Sequence, residues 1–233
     1  MEKLRSFLGK YFYFMMSLVI AMVVVYGFSH TVNQNLFHPN PIPPVILWCH
    51  AIAFCGWVVF FIVQSALVRT HNVKIHRKLG WFGLVLGIVM ILLGVTTAVT
   101  MAKFHVKAGG GFGSPAAFLV IPLHDMLQFA MFFTLAIWWR KRPEWHRRFI
   151  LIASCVLTAA AWGRTPFIPF PWFYIGVDAL VLLGAARDWI VMKRIHPIYL
   201  WALPVMMVAQ TIAVHILLHQ PAAWMAFAHW LMR

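Results

Sequence analysis

Acidic residues and cysteines are scarce in this sequence. The 233 residues include five Asp and Glu and three Cys, and charged residues make up 10% of the chain. Soluble domains contain about 25% charged residues, so this composition excludes a soluble globular protein. The three Cys form neither an even set nor a Cys-x-x-Cys motif. This small, odd number excludes a secreted scaffold held together by disulfides.

Hydrophobic residues, in contrast, make up 63% of the chain, and the mean hydropathy is +0.82. They form runs much longer than a strand, and none of the runs alternates with a period of two. About 20 apolar residues cross the hydrocarbon as a helix, which satisfies its backbone hydrogen bonds internally. The sequence therefore predicts an all-α polytopic membrane protein, a single seven-helix transmembrane bundle. The predicted spans are residues 11–28, 44–68, 79–102, 115–139, 147–165, 172–190 and 197–218.

Two further expectations concern the end of the sixth run and the C-terminal tail. Arg187 and Asp188 lie near the end of the sixth run, so we expect the last turn of that helix to lie outside the hydrocarbon. Residues 221–233 are apolar but too short to span, and we expect this tail to lie in the outer interface, where Trp is favoured.

Basic residues are distributed unevenly between the predicted loops. The segments on the side of the N-terminus carry 15 of the 19 Lys and Arg. Because cytoplasmic loops are enriched in Lys and Arg, this asymmetry predicts a cytoplasmic N-terminus and an outer C-terminus in a bacterial inner membrane. The net charge of +14 is then explained by anchors beside anionic lipid headgroups, and no nucleic-acid partner is expected.

Several polar residues lie within the predicted spans, where an unpaired ionisable group is costly and is a functional candidate. At a rise of about 1.5 Å per residue, the sequence predicts that spans two, four, six and seven place His50, His124, Asp178 and His215 at similar depth, in one layer of the outer leaflet. Three further residues that could join this layer are Gln128, Arg164 and Gln210.

A second set of histidines, His76, His146 and His196, stands at the inner entrances of spans three, five and seven. Two of them belong to a weak internal repeat. In each copy an inward-running helix is followed by a basic loop, a His-Arg pair and a returning helix. The repeat relates His76-Arg77 to His146-Arg147.

Histidines on alternate helices are typical of a bundle that holds haem b, because two imidazoles from different helices bind the iron. His50 and His124 satisfy this relation on spans two and four, and we expect them to bind haem near the outer face. His76 and His146 repeat it on spans three and five. His76 lies beside Arg77 and Lys78, at headgroup level. The two irons would then lie near opposite membrane faces, which is far for direct electron transfer, so the sequence favours the outer site.

This order of histidines resembles that of the di-haem transmembrane cytochromes b, the ascorbate-dependent ferric-reductase superfamily. There, four consecutive helices carry one histidine each, paired two with four and three with five. The resemblance covers residues 44–166 and implies electron transfer from a quinol or small reductant to an acceptor at the outer face. The chain is also similar to uncharacterised bacterial multi-pass membrane proteins with a His-Arg-x-Leu-Gly turn, here residues 76–80. That second resemblance implies no established activity.

Two other functions remain open on the sequence. Three histidines and a carboxylate near one surface can bind zinc or another transition metal and activate water. The metal ligands would be His50, His124, Asp178 and His215, and the chain would then resemble the seven-helix lipid hydrolases of the progestin-receptor and ceramidase-like kind. The third possibility is a non-enzymatic accessory or assembly subunit, bound to the partner subunits of a respiratory membrane complex.

Overall fold

The computed structural model describes residues 2–109 and 113–233, and this part of the chain contains helices and no strand. The helices are α1 (Glu2–Ser29), α2 (Ile46–Arg69), α3 (Val73–Ala108), α4 (Pro115–Phe118), α5 (Val120–Trp138), α6 (Pro143–Val156), α7 (Ala159–Trp162), α8 (Tyr174–Met192), α9 (Pro197–His219) and α10 (Ala222–Leu231). A π-helical turn, Asn33–Phe37, follows α1. The all-α prediction is confirmed.

Five helical segments are long and apolar enough to cross a membrane: Glu2–Ser29, Ile46–Arg69, Val73–Ala108, Pro115–Trp138 and Pro197–His219. They coincide with predicted spans one to four and seven. Span five is divided between the 14-residue α6 and the four-residue α7. Span six corresponds to α8, whose 19 residues include three Asp and Arg side chains, Asp178, Arg187 and Asp188. The number of seven membrane crossings therefore stays a prediction.

Local sequence accounts for several helix boundaries. The Ser114 side chain accepts a hydrogen bond from the Ala117 amide at the start of α4, where a proline occupies the first turn. The α4–α5 junction follows Phe118, four residues before Pro122. A proline inside a helix has no N–H to donate to the carbonyl four residues back, so the backbone is interrupted there.

Helix α6 occupies the centre of the bundle. Helices α1, α2, α3, α5, α9 and α8 contact one another in that order and close a ring around it. Eight of the 14 residues of α6 are buried, including every one from Leu151 to Val156. The outside of the ring carries exposed apolar side chains, among them Met22, Val85, Leu92, Leu127 and Leu200. An apolar exterior of this kind is compatible with a membrane-embedded protein.

Aromatic side chains fill the middle of the bundle between α2, α3 and α5. Trp57 packs edge-on against Phe129 and Phe133, with ring centroids 5.4 and 5.7 Å apart. Its indole N–H donates to Ser154 Oγ on the central helix at 3.2 Å. This apolar layer separates the two ends of the bundle. We call the end at which α3, α6 and α9 begin the inner end, following the predicted orientation, and the opposite end the outer end.

Candidate functional site

Three polar side chains meet at the outer end of the bundle. The Tyr174 hydroxyl on α8 donates to Asp125 Oδ1 on α5 at 2.7 Å. His124 Nδ1 lies 3.0 Å from the same hydroxyl and 3.3 Å from Asp125 Oδ1. Asp125 and Tyr174 are buried, and the side chain of His124 is 9% exposed. We call these residues, His124, Asp125 and Tyr174, the outer triad.

The second ring nitrogen of His124 is also engaged. The amide nitrogen of Gln128, one turn further along α5, lies 2.8 Å from His124 Nε2. The same amide donates to the Met206 carbonyl of α9 at 3.4 Å. Both imidazole nitrogens of His124 therefore have protein partners, and a metal or haem iron would have to displace one of them.

A second carboxylate, Asp178, lies one turn after Tyr174 on α8 and accepts a hydrogen bond from Gln210 of α9 at 3.1 Å. Both glutamines suggested for the outer layer are therefore found in it. Arg164 bonds instead to Thr31 and to a backbone carbonyl of its own segment. Within the described residues, neither Asp125 nor Asp178 forms an ion pair with Lys or Arg.

The other two residues predicted for the outer layer do not join the triad. His50 stacks on Phe54, with centroids 3.9 Å apart, and its buried Nδ1 has no partner. His215 is exposed and stacks on His219. Residues five apart lie about 140° apart around a helix, so His215 points away from the face of α9 that carries Gln210.

The expected four-ligand metal group is therefore not assembled. In residues 2–109 and 113–233, no three His, Cys, Asp or Glu side chains are arranged to hold a metal ion. The sequence placed these four residues at similar depth, but each has different partners in the structure. Depth along a helix does not determine the direction in which a side chain points. The buried residues Met206, Gln210, Ala213 and Leu217 mark the face of α9 that packs into the bundle, and His215 does not lie on that face.

At the inner end, the histidines of the predicted repeat lie side by side. The ring centroids of His76 on α3 and His146 on α6 are 6.4 Å apart, with an angle of 73° between the ring planes. His146 Nδ1 lies 2.9 Å from the Ala136 carbonyl of α5, so this nitrogen carries a proton and donates it. The Nδ1 atom of His76 is buried without a partner. We call His76 and His146 the inner pair.

A buried ion-pair network lies at the same end of the bundle. The guanidinium of Arg148 on α6 donates to both carboxylate oxygens of Asp188 on α8, at 2.7 and 2.8 Å, and neither side chain is exposed. Arg187 donates to Asp188 Oδ1 at 3.0 Å. Sequence reasoning missed this network. Arg187 and Asp188 are buried in the bundle, where Asp188 pairs with Arg148 of α6, and the expectation that the last turn of α8 lies outside the hydrocarbon stays a prediction.

Two titratable groups lie at the edge of this network. Burial opposes ionisation of Glu144, but hydrogen bonds and positive charge from Arg148 and Arg147 outweigh burial and hold the pKa of Glu144 below its usual value. Burial and the charge of Arg148 lower the pKa of His196. His196 is therefore neutral near pH 7, and its Nδ1 accepts from the Ile198 amide at the start of α9.

Tyr13 connects α1 to the same network. Its ring lies under the guanidinium groups of Arg147 and Arg187, 5.0 and 5.5 Å from the ring centroid. Cation–π contacts of this kind are stabilising when they are shielded from water. The inner end is thus tied together by side chains of α1, α6 and α8.

Comparisons with protein families, with characterised proteins and with solved structures find no match to this chain.

Proposed function

We propose that this chain is a membrane-embedded b-type cytochrome that transfers electrons, with haem b bound by the inner pair, His76 and His146. In this proposal the seven predicted spans cross a bacterial inner membrane, with the N-terminus in the cytoplasm and the C-terminus outside. One observation carries it: the two imidazole rings, from the two copies of the sequence repeat, lie with their centroids 6.4 Å apart.

That separation would let both rings hold one metal ion. A metal–imidazole bond is about 2.0 Å long, and the ring centre lies roughly 1 Å beyond the nitrogen, so two imidazoles on one iron would have centroids no more than about 6 Å apart. Metal-binding histidines commonly donate their other ring N–H to a carbonyl, which orients the ring. The bond from His146 Nδ1 to the Ala136 carbonyl has this form and leaves Nε2 as the ligand nitrogen.

The outer pair, His50 and His124, which the sequence favours as haem ligands, fits haem less well. His124 uses both ring nitrogens within the protein, at 2.8 and 3.0 Å, whereas His50 has a buried free nitrogen. The proposal therefore places the haem ligands at the inner end, although the sequence favours the outer one. Haem b would supply a one-electron carrier, and the surrounding residues would exclude water and set its potential.

The proposed reaction needs an electron donor that can reach a haem held inside the bundle. The electron donor would be a quinol or a small reductant, and a quinol would reach the bundle through the lipid bilayer along its apolar exterior. The aromatic layer around Trp57, Phe129 and Phe133 lies between the inner pair and the outer triad, and it would keep water from passing between the two ends.

The test is the optical spectrum of the purified full-length chain, expressed with haem available or reconstituted with it. We expect a Soret band and a reduced-minus-oxidised α band in the wild type, and loss of both bands in His76→Ala and in His146→Ala. The controls are His50→Ala and His105→Ala, which should keep both bands. Bands that survive both inner substitutions but disappear in His124→Ala would return the haem to the outer pair.

Metal analysis of the same sample decides between the remaining functions. A haem-reconstituted wild type without either band would exclude the cytochrome. Stoichiometric zinc in that sample would favour the membrane hydrolase, and a sample with neither zinc nor haem would favour the accessory subunit.

A further inference from the structure

The outer triad has no role in binding haem at the inner pair, and its chemistry points to a separate function. We propose that His124, Asp125 and Tyr174 form an intramembrane proton-binding site, which takes up one proton. The inference does not depend on the haem, because it rests on the charge and hydrogen bonding of the triad alone.

Within the described residues, the Asp125 carboxylate is buried without a cation beside it. Asp125 is 8% exposed, and its polar partners are the phenol of Tyr174 and the imidazole of His124. An ionised carboxylate buried without a cation is costly. In the described part of the chain no Lys or Arg pairs with it. One proton, held on the carboxylate or on the imidazole, brings the net charge of the triad from −1 to zero and removes that cost.

The hydrogen bonds of the triad fix where its hydrogens lie. Tyr174 donates its hydroxyl proton to Asp125, so the phenol oxygen is left to accept a hydrogen bond from His124 Nδ1–H at 3.0 Å. A neutral imidazole with its proton on Nδ1 has its basic lone pair on Nε2. That lone pair faces the amide of Gln128 at 2.8 Å. Nε2 is thus the basic nitrogen of His124, and it can accept the proton once the Gln128 N–H turns away from its lone pair.

Protonation of His124 would also change a contact between two helices. When a proton binds to Nε2, the imidazolium N–H would face the N–H of the Gln128 amide, so the amide must turn to present its oxygen. This turn removes the 3.4 Å hydrogen bond from Gln128 to the Met206 carbonyl of α9. Proton uptake on His124 therefore loosens one contact between α5 and α9, with no change in covalent bonds apart from the new N–H.

The charged neighbours of the site are few. From α8, Tyr174 interacts electrostatically with both Asp125 and Asp178. From α9, the residue facing this layer is the neutral Gln210, which is bonded to Asp178. Asp178 is a carboxylate next to the triad, so its titration has to be separated from that of the triad.

The experiment compares Asp125→Asn with Asp178→Asn by thermal unfolding of the full chain, in the same detergent and without haem, across neutral and alkaline pH. If the folded triad holds a proton that the unfolded chain has released, the folded state binds more protons, and stability falls as pH rises. The folding equilibrium constant then falls up to tenfold per pH unit.

The amide introduced by Asp125→Asn still accepts from Tyr174 but leaves no carboxylate for the proton to neutralise, so this pH dependence of stability should disappear. It should persist in Asp178→Asn.

A purely structural role for Asp125 predicts a different result, an equal loss of stability at every pH, and that outcome would overturn the proposal. Infrared difference spectra of the wild type between two pH values give a second measurement if Asp125→Asn fails to fold. The expected signal is a carboxylic-acid or imidazolium band that changes with pH in the wild type and is missing from the same spectra of His124→Gln, in which the other titratable groups are unchanged. Identical difference spectra for the two proteins would also overturn the proposal, whether or not the protein binds haem.

Discussion

Arg148 and Asp188 face each other across the α6–α8 interface with two parallel N–H···O bonds, and neither side chain is accessible to solvent. Paired guanidinium and carboxylate groups of this geometry fix position as well as charge. Because α6 is the helix around which the others are arranged, this contact positions the inner ends of both helices. Arg148 lies two residues after His146 on α6, so the contact also fixes this helix next to one member of the inner pair.

Removing one partner of this pair should destabilise the protein strongly. Arg148→Gln leaves the Asp188 carboxylate buried beside Arg187 alone, and breaking a buried ion pair costs about 3–5 kcal/mol. The neighbouring Arg147→Gln changes a guanidinium that is 32% exposed, for which the loss should stay below about 1 kcal/mol. The measurement is the unfolding midpoint of each variant in detergent. Equal midpoints for the two variants would contradict the structural role assigned to Arg148.

Acid should weaken the inner end through Glu144. Its pKa is lower in the folded chain than in the unfolded chain, so its contribution to stability is fully present above the unfolded pKa, about 4.3, and is lost as pH falls through the folded value. We expect Glu144→Gln to remove this part of the acid dependence while leaving the dependence assigned to Asp125 unchanged. Unfolding midpoints between about pH 6 and pH 3 test this, and identical acid profiles for variant and wild type would count against it.

Close approach of α1 to α7 requires glycine at position 27. A Cβ atom at Gly27 would overlap the backbone carbonyl of Ala161, which cannot move aside as a flexible side chain can. Gly27→Ala should therefore cost about 1–3 kcal/mol. Gly56 is the matched control, since a Cβ there meets nothing within 4 Å.

In a helix interior, Ala is favoured over Gly by up to about 1 kcal/mol. Gly56→Ala should therefore be neutral or stabilising, and the two alanine variants should move the unfolding midpoint in opposite directions or by clearly different amounts. A Gly27→Ala variant as stable as Gly56→Ala would mean that the helices are further apart than described.

The predicted orientation is testable with reporter fusions. A reporter fused after Arg142, in the basic segment before α6, should lie in the cytoplasm, and one fused after Gly113, before α4, should lie outside. Enzymatic reporters active in one compartment only provide the measurement. The same compartment for both fusions would contradict the seven-span arrangement, because the two sites flank a single predicted span.

The histidines show how far sequence order can predict contacts. The two His-Arg pairs of the repeat predicted equivalent positions for His76 and His146, and their rings lie side by side. Equivalent positions in repeated hairpins fall at the same end of a bundle. That these two residues bind haem stays a prediction. The outer layer was predicted in part. Gln128 and Gln210 were recognised as members of it by depth, but Tyr174 was not, since nothing in the spacing of 49 residues relates it to Asp125.

What the sequence determined by itself is the all-helical class and the five long apolar helices, because apolar runs of sufficient length and the prolines and serine near their starts act within a few residues of each boundary. What only the tertiary structure decided is which polar groups are enclosed. Arg148 and Asp188 resemble ordinary loop-side charges in the sequence, and His215 resembles a buried ligand. Burial depends on which helix faces meet, and those contacts join residues far apart in the chain, where no local pattern records them.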